Sequence, residues 1–400
     1  MGKPALIFVD DQSNILKSLH RSLHRLEQVW DIHYASGGSE ALRIIKNSHI
    51  DVIVADTNMP GMRGTQLLRE VKSAYPKTIR LVLSGGCRNN DIALLLHTSH
   101  QFFSKPFDIG QLENTIKKLL SLRERVSNDL LKELVTNISQ LPCYPDTYKD
   151  FRKELAETSP DLEKLGEYIS KDAGLTAKLL QGMNTTFFGI HKAGIHPREA
   201  VQMMGPGTIA YLFNDDGHFN IISPDLTNHA FLTEMYERGL RRARLVEAMA
   251  ADENIPEDEK KVAFTAGMLC GIGAIIMASE MADSYAQLIP LFKDEKSQCA
   301  EEQKKLGTNH CDVGAFFLGL WGFPDTVVNT ATYYASPEKN SDQSLNLATL
   351  VHVADALVRT DDVKAQESCM NTAYLKKLGL GEKINKWRGM SKSALAAGLA

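Results

Sequence analysis

Four apolar runs in the first 105 residues each stop at a polar residue, and this recurrence limits the possible folds sharply. Leu6-Ile7-Phe8-Val9 runs into Asp10-Asp11, and Val52-Ile53-Val54-Ala55 into Asp56-Thr57-Asn58-Met59-Pro60-Gly61. Ile79 to Leu83 ends at Ser84, and Gln101-Phe102-Phe103-Ser104 leads to Lys105-Pro106-Phe107. Short apolar runs bounded by turn residues read as strands. Strands are predicted near 4–9, 31–35, 51–55, 79–83 and 101–103, with helices near 13–27, 38–47, 64–74, 88–97 and from 108 onward. Five such units predict a doubly wound α/β domain with a five-stranded parallel sheet. In an open parallel sheet the carboxyl ends of the strands share one edge, so the polar groups converge there.

Three carboxylates, a hydroxyl and an ammonium on one edge suit a divalent cation and a phosphoryl group. A carboxylate that attacks a phosphoryl donor meets like-charge repulsion, which a divalent metal relieves. Asp11 and Asp56 supply hard oxygen ligands, Asp10 can hold a coordinated water, and the backbone carbonyl of Asn58 can complete the shell. Lys105 supplies a mobile positive charge, and Ser84 a hydroxyl donor, for the phosphoryl oxygens.

On Asp10-Asp11, Asp56-x-x-Met59-Pro60-Gly61, Ser84 and Lys105-Pro106-Phe107, residues 1–122 closely resemble the receiver domain of bacterial response regulators. The resemblance implies that Asp56 accepts a phosphoryl group from a sensor histidine kinase with Mg²⁺ bound. It also implies that Ser84 and Phe102 form a hydroxyl–aromatic switch pair. Gln12 departs from the acidic residue often found there in the family.

Asp108 is a predicted N-cap for the helix that follows, since Pro106 blocks an earlier start. From Ile109 the apolar positions Leu112, Ile116, Leu119, Val126, Leu130, Leu134 and Ile138 recur at helical spacing, with no Gly or Pro between Gly110 and Pro142. A continuous helix to residue 139 would be about 45 Å long. Two readings stand: a linker helix packed on the next domain, and a coiled-coil seam that makes a homodimer through 108–139. After Pro145 helical patterns dominate and predict an all-helical domain, with the segment 378–400 frayed at its end.

Residues 134–338 resemble the HDOD domain, a relative of HD phosphohydrolases. The matching stretches are Leu141-Pro142-x-x-Pro145, Ile169 to Leu180, Asn184 to Gly189, Ala263 to Gly273, His310-x-x-Val313-Gly314-Ala315 and Trp321-Gly322-Phe323-Pro324. An HD enzyme needs an adjacent His-Asp pair and further His and Asp ligands for its metal. The chain has no His-Asp dipeptide. Cys270-Gly271 stands at the corresponding place, Arg238 where His is frequent, and Tyr333-Tyr334-Ala335 for a Tyr-His-His stretch. Asp355 matches the last HD ligand, and one carboxylate cannot hold a metal alone. No HD-type metal site is therefore expected.

Several other groups have plain readings. Arg238, Arg241, Arg242 and Arg244 make a basic helical face, expected to form solvated pairs with Glu234, Glu237 and Glu247. The alternative is an anion contact through Arg238. His310 is expected to cap a helix or sit at the core edge, and Cys299 with Cys311 lacks a convincing fourth zinc ligand. Met203, Met204, Met268, Met277 and Met281 read as core filler. Gly322-Phe323-Pro324 reads as a helix-breaking turn.

With 24% charged residues and a net charge of -4, the chain carries no electrostatic case for nucleic acid or an anionic membrane. The six scattered cysteines, without Cys-x-x-Cys, suit a reduced, cytoplasmic protein. The apolar stretch Ala266–Ala278 is too short to span a bilayer and reads as a buried helix. The expected organisation is a receiver domain over 1–122, a linker helix over 123–139, an HDOD domain over 140–338 and a helical extension over 339–400. The function expected is a phosphorylation-dependent response regulator. Its non-catalytic output domain would contact an unidentified downstream protein, and chemistry would be confined to Asp56. The alternatives are a receiver-regulated metal-dependent phosphohydrolase or cyclic-nucleotide phosphodiesterase, and a nucleotide- or phosphate-sensing module.

Overall fold

The computed structural model describes residues 2–85, 95–138, 140–185, 195–213 and 219–397, with side chains to 392. The first domain is a parallel sheet of β1 (Ala5–Val9), β2 (Asp31–Ala35), β3 (Val52–Asp56), β4 (Ile79–Ser84) and β5 (Gln101–Ser104), in the order β2-β1-β3-β4-β5. Every residue of β1, β3 and β4 is buried, as strands covered by helices on both faces must be. The covering helices include α1 (Ser13–Leu23), α2 (Gly38–Asn47) and α3 (Gly64–Ala74). Of the helix predicted over 88–97, only residues 95–97 lie within the described chain, and they are helical. Gly64 is required where α3 starts, because a Cβ there would lie 1.9 Å from the Asp56 carbonyl oxygen.

The predicted long helix is two helices. α4 (Ile109–Arg125) starts at Asp108, whose side chain accepts from Gln111 N as an N-cap. It ends at Val126, which is extended, and α5 (Asp129–Asn137) begins again at Asn128. The Asn128 side chain accepts from Leu130 N and Leu131 N, so a local cap competes with continuation and wins. The homodimer seam loses its basis too. Leu112, Ile116, Leu119, Leu122 and Val126 are buried within the same chain, while Leu130 is 74% exposed. The linker reading fits: α4 packs on the helix His310–Leu320 of the second domain.

Among the described residues the second domain is helical with one exception, a parallel two-stranded sheet that pairs Leu141–Cys143 with Phe219–Ile221. Its central helices are His229–Asp252, Glu257–Leu269, Ile272–Glu280, His310–Leu320 and Leu347–Arg359. Residues 262–278 are all buried inside this core, and the helix is interrupted at Cys270-Gly271. Gly322, at φ +71°, makes the expected break before the helix Asp325–Tyr333. The expected helical extension includes the helix Lys383–Ala397, anchored by the fully buried Trp387. Met204, Met268 and Met277 are core residues, whereas Met203 is exposed. Thr186 to Gly189 of the matched HDOD stretch lie outside the described residues.

Candidate functional site

The sheet edge gathers the predicted groups. Asp10 follows β1, Asp56 ends β3, Ser84 ends β4 and Lys105 follows β5. Carboxylate oxygens of Asp10, Asp11 and Asp56 lie within 4.8 Å of one another; Asp10 and Asp56 are buried and Asp11 is exposed. Lys105 Nζ reaches Asp10 Oδ2 at 2.6 Å and Asp56 Oδ1 at 3.1 Å, tying the ends of three strands together. Asp10 Oδ1 also accepts from Gln12 N at 2.9 Å, so its orientation is held from two sides. Thr57 Oγ1 lies 3.5 Å from Ser84 Oγ, which places the hydroxyl beside the residue after Asp56.

Burial raises the Asp56 carboxyl above its ordinary value; Lys105 opposes this and Asp10 adds to it. The Asn58 backbone N–H stabilises the charged form by bonding to the carboxylate. The site therefore holds more negative charge than one lysine offsets, and its oxygen donors suit a small hard cation such as Mg²⁺.

Phe102, on β5, is 8% exposed and faces the domain boundary. It lines a cavity of about 540 Å³ with Pro106 and Phe107 of the first domain and Asn184, Trp321 and Gly322 of the second. Around this cavity the domains are clasped. Gln101 Nε2 donates to the Gly319 carbonyl at 2.6 Å, Arg125 Nε pairs with Asp312 at 2.6 Å, and Lys118 pairs with Asp325. A Cβ at Gly319 would meet Leu122 Cδ1 at 2.4 Å, so the glycine permits this close packing of α4. Toward the amino ends of β4 and β5, buried Arg80 and His100 both bond to the Thr136 carbonyl near the end of α5, at 2.7 and 2.8 Å.

In the second domain the solvated arginine face is not what forms. Arg238 and Arg242 are each 2% exposed. Arg242 Nη1 lies 2.7 Å from Asp355 Oδ1, and its Nε donates to the Gly267 carbonyl at 2.8 Å. Arg238 Nη2 lies 3.0 Å from Glu295 Oε1, and Arg359 bridges Asp355 and Glu295 at 3.0 and 3.1 Å. The anions that Arg238 meets are thus the chain's own carboxylates. Burial works against the charged Asp355, yet Arg238, Arg359 and Arg242 together hold it well below the usual carboxylate range. A Cβ at Gly271 would lie 3.0 Å from Arg242 Nη2, so a guanidinium occupies the space beside the Cys270-Gly271 step. Burial pushes the Cys270 thiol up to about 12, despite that guanidinium.

His310 is not at the core edge but fully buried; Asn309 is the cap. Its Nδ1 lies 2.7 Å from Glu302 Oε2 and its Nε2 2.9 Å from the Tyr334 hydroxyl. The sequence reading missed Arg242, Arg359, Glu295 and Glu302 as one network. Their only local signal was spacing: Arg242 lies one helical turn after Arg238, and Arg359 one turn after Asp355.

A parallel α/β domain with a buried acidic edge, clasped to a helical domain, defines a signalling receiver with an attached partner domain. A family model for the response regulator receiver domain matches residues 6–117, and one for the HDOD domain matches 141–337. The chain is a receiver domain followed by an HDOD domain, the architecture of a two-component response regulator. Sensor kinase CckA of Brucella abortus is 29% identical over 127 residues, covering 31% of this chain and 13% of that protein. Response regulator protein PilR of Pseudomonas aeruginosa is 26% identical over 217 residues, 48% of this chain and 47% of that protein. The chain spans less than half of either relative. Among solved structures, the receiver domain of an HD domain-containing protein from Pseudomonas fluorescens Pf-5 is 27% identical, with TM-score 0.29, covering 30% of this chain and 96% of that one. A Campylobacter jejuni virulence factor is 21% identical, with TM-score 0.48, covering 62% of this chain and 92% of that one.

Proposed function

We propose that Asp56 accepts a phosphoryl group from a sensor histidine kinase and that the HDOD domain passes this input to a protein partner without catalysis of its own. The observation that carries the reading is Lys105 bridging Asp10 and Asp56 beside an acidic triad. In the transfer an Asp56 carboxylate oxygen attacks phosphorus, the donor's P–N bond breaks and the imidazole leaves. Mg²⁺ held by Asp10, Asp11 and Asp56, with the Asn58 carbonyl, would neutralise the charge that gathers there. Lys105 would exchange its Asp56 contact for a phosphoryl oxygen, and Ser84 would donate its hydroxyl to another. Ser84 and Phe102 would then act as the switch pair. A shift of Phe102 alters the cavity it shares with Trp321, so the clasp through Gln101 and Arg125 responds.

Non-catalytic output is supported by the arginine network. Asp355, which matches an HD ligand, is neutralised by Arg242, and His310 has both ring nitrogens engaged. Hydrogen exchange of the full chain with Mg²⁺ and acetyl phosphate tests the input. Faster exchange in α4 and in His310–Leu320 is expected for the native protein and not for Asp56→Asn. Identical exchange in both would refute the switch. Stoichiometric transition metal in the protein, with turnover of nucleotides, would refute the non-catalytic output.

A further inference from the structure

The reading above leaves one reactive cluster unused. Cys299, on the helix Glu295–Leu306, and Cys311, on the helix His310–Leu320, have sulfur atoms 3.6 Å apart. Cys311 is 4% exposed and Cys299 is only partly buried as a residue, so of the two Cys299 lies nearer the surface. His310 completes the cluster, with Cys299 Sγ 3.9 Å from both Nδ1 and Nε2. Equal distances mean that neither nitrogen points its lone pair at the sulfur. Those nitrogens serve Glu302 and Tyr334. The imidazole is therefore placed as a charge beside the thiol rather than as a fellow ligand of a metal.

We propose that Cys299 and Cys311 are an oxidisable dithiol site, in which a hydroperoxide oxidises Cys299 and Cys311 resolves it as a disulfide between the two helices. The Cys299 thiolate attacks the peroxide O–O bond, taking one oxygen as sulfenic acid and releasing the other as water after protonation. The Cys311 sulfur then attacks the sulfenic sulfur, the S–O bond breaks and a second water leaves. Two thiols and one hydrogen peroxide become one disulfide and two waters, and a dithiol reductant reverses the change.

The surroundings favour the first step. The hydrogen bond from Cys311 comes first in holding the Cys299 thiol down to about 7; burial opposes it, and the nearby His310 charge reinforces it. Burial alone would lower His310, but Cys299 and Glu302 beside it keep it well above its ordinary value. Cys143 and Cys270 are fully buried, and burial pushes their thiols up. The consequence reaches the domain boundary. A disulfide needs its sulfurs about 2.05 Å apart, so closing the 3.6 Å gap repacks side chains in the first turn of His310–Leu320. Asp312, next in sequence to Cys311, is the residue paired with Arg125 of α4. Oxidation would thus act on the clasp that the receiver uses, independently of Asp56.

The test is hydrogen peroxide titration of the full chain, followed by peptide mapping without reductant. We expect a Cys299–Cys311 linked peptide to form at least about tenfold faster than oxidation at Cys369. Dithiothreitol should reverse it, and Asp56→Asn should oxidise at the same rate. In Cys311→Ser a sulfenic acid at Cys299 should be trapped by dimedone. Hydrogen exchange in α4 should rise in the oxidised chain. Cys299 remaining reduced while Cys369 oxidises would overturn the proposal. So would one equivalent of zinc that stays with the chain and protects both thiols, because the cluster would then be a metal centre.

Discussion

Gln101, the first residue of β5, donates its side-chain amide to the carbonyl of Gly319 at 2.6 Å, joining residues 218 positions apart. The strand that carries Phe102 is therefore fastened directly to the helical domain. A change at Phe102 has one residue to travel before it meets the partner domain, and a rigid strand to travel along.

Gln101→Ala should loosen this clasp without unfolding either domain. One net hydrogen bond is worth about 1 kcal/mol, or about fivefold in a local opening equilibrium. Amide exchange across His310–Leu320 should quicken by about that factor, while β1 and β3 remain unchanged.

Asp56→Asn should abolish labelling by acetyl phosphate, read on a phosphate-affinity gel. It should also stabilise the unphosphorylated chain. The folded-state carboxyl is raised, so its contribution to stability is full below the ordinary carboxylate range and is lost as pH rises through the folded value. The melting temperature of Asp56→Asn should exceed that of the native chain at pH 7, and the gap should shrink as pH falls toward about 4. Added Mg²⁺ should narrow the gap at neutral pH by binding the native site.

Asp355→Asn should be strongly destabilising, by about 3–5 kcal/mol in urea unfolding at pH 7, since it leaves buried Arg242 without its carboxylate partner. The sign with pH is opposite to that of Asp56. Asp355 is held low, so its stabilisation is present above the ordinary carboxylate value and lost as pH falls through the folded one. The native chain should lose stability below about pH 4, and the variant should show a flatter acid limb.

Gly273→Ala should separate two core helices. A Cβ there would lie 2.0 Å from the His310 carbonyl oxygen and 2.6 Å from Gly314 N, and backbone cannot rotate away as a side chain can. A loss of about 3 kcal/mol is expected in chemical denaturation. Cys299 should also become more accessible to thiol reagents.

Much of the receiver site was legible because strand ends announce themselves. An apolar run followed by Asp, Ser or Lys locates a residue along the chain, and parallel pairing then brings those ends to one edge. The connecting segment misled because apolar spacing outweighed a local signal. Ser127-Asn128-Asp129 is a capping sequence, and Asn128 caps α5 where periodicity predicted an unbroken helix. The arginine face misled for a different reason. Amphipathic spacing tells which residues share a side of a helix, but not whether that side faces water or another helix's carboxylates.

By itself the sequence determined the five-stranded sheet, the identities of Asp10, Asp11, Asp56, Ser84 and Lys105, and the absence of a His-Asp pair. These follow from local periodicity and from residue type. Only the tertiary structure decided that Arg242 meets Asp355 across 113 residues, that Cys299 touches Cys311, and that α4 spends its apolar stripe on its own chain. The reason is physical: burial and charge pairing depend on which distant surfaces meet, and short-range pattern leaves that choice open.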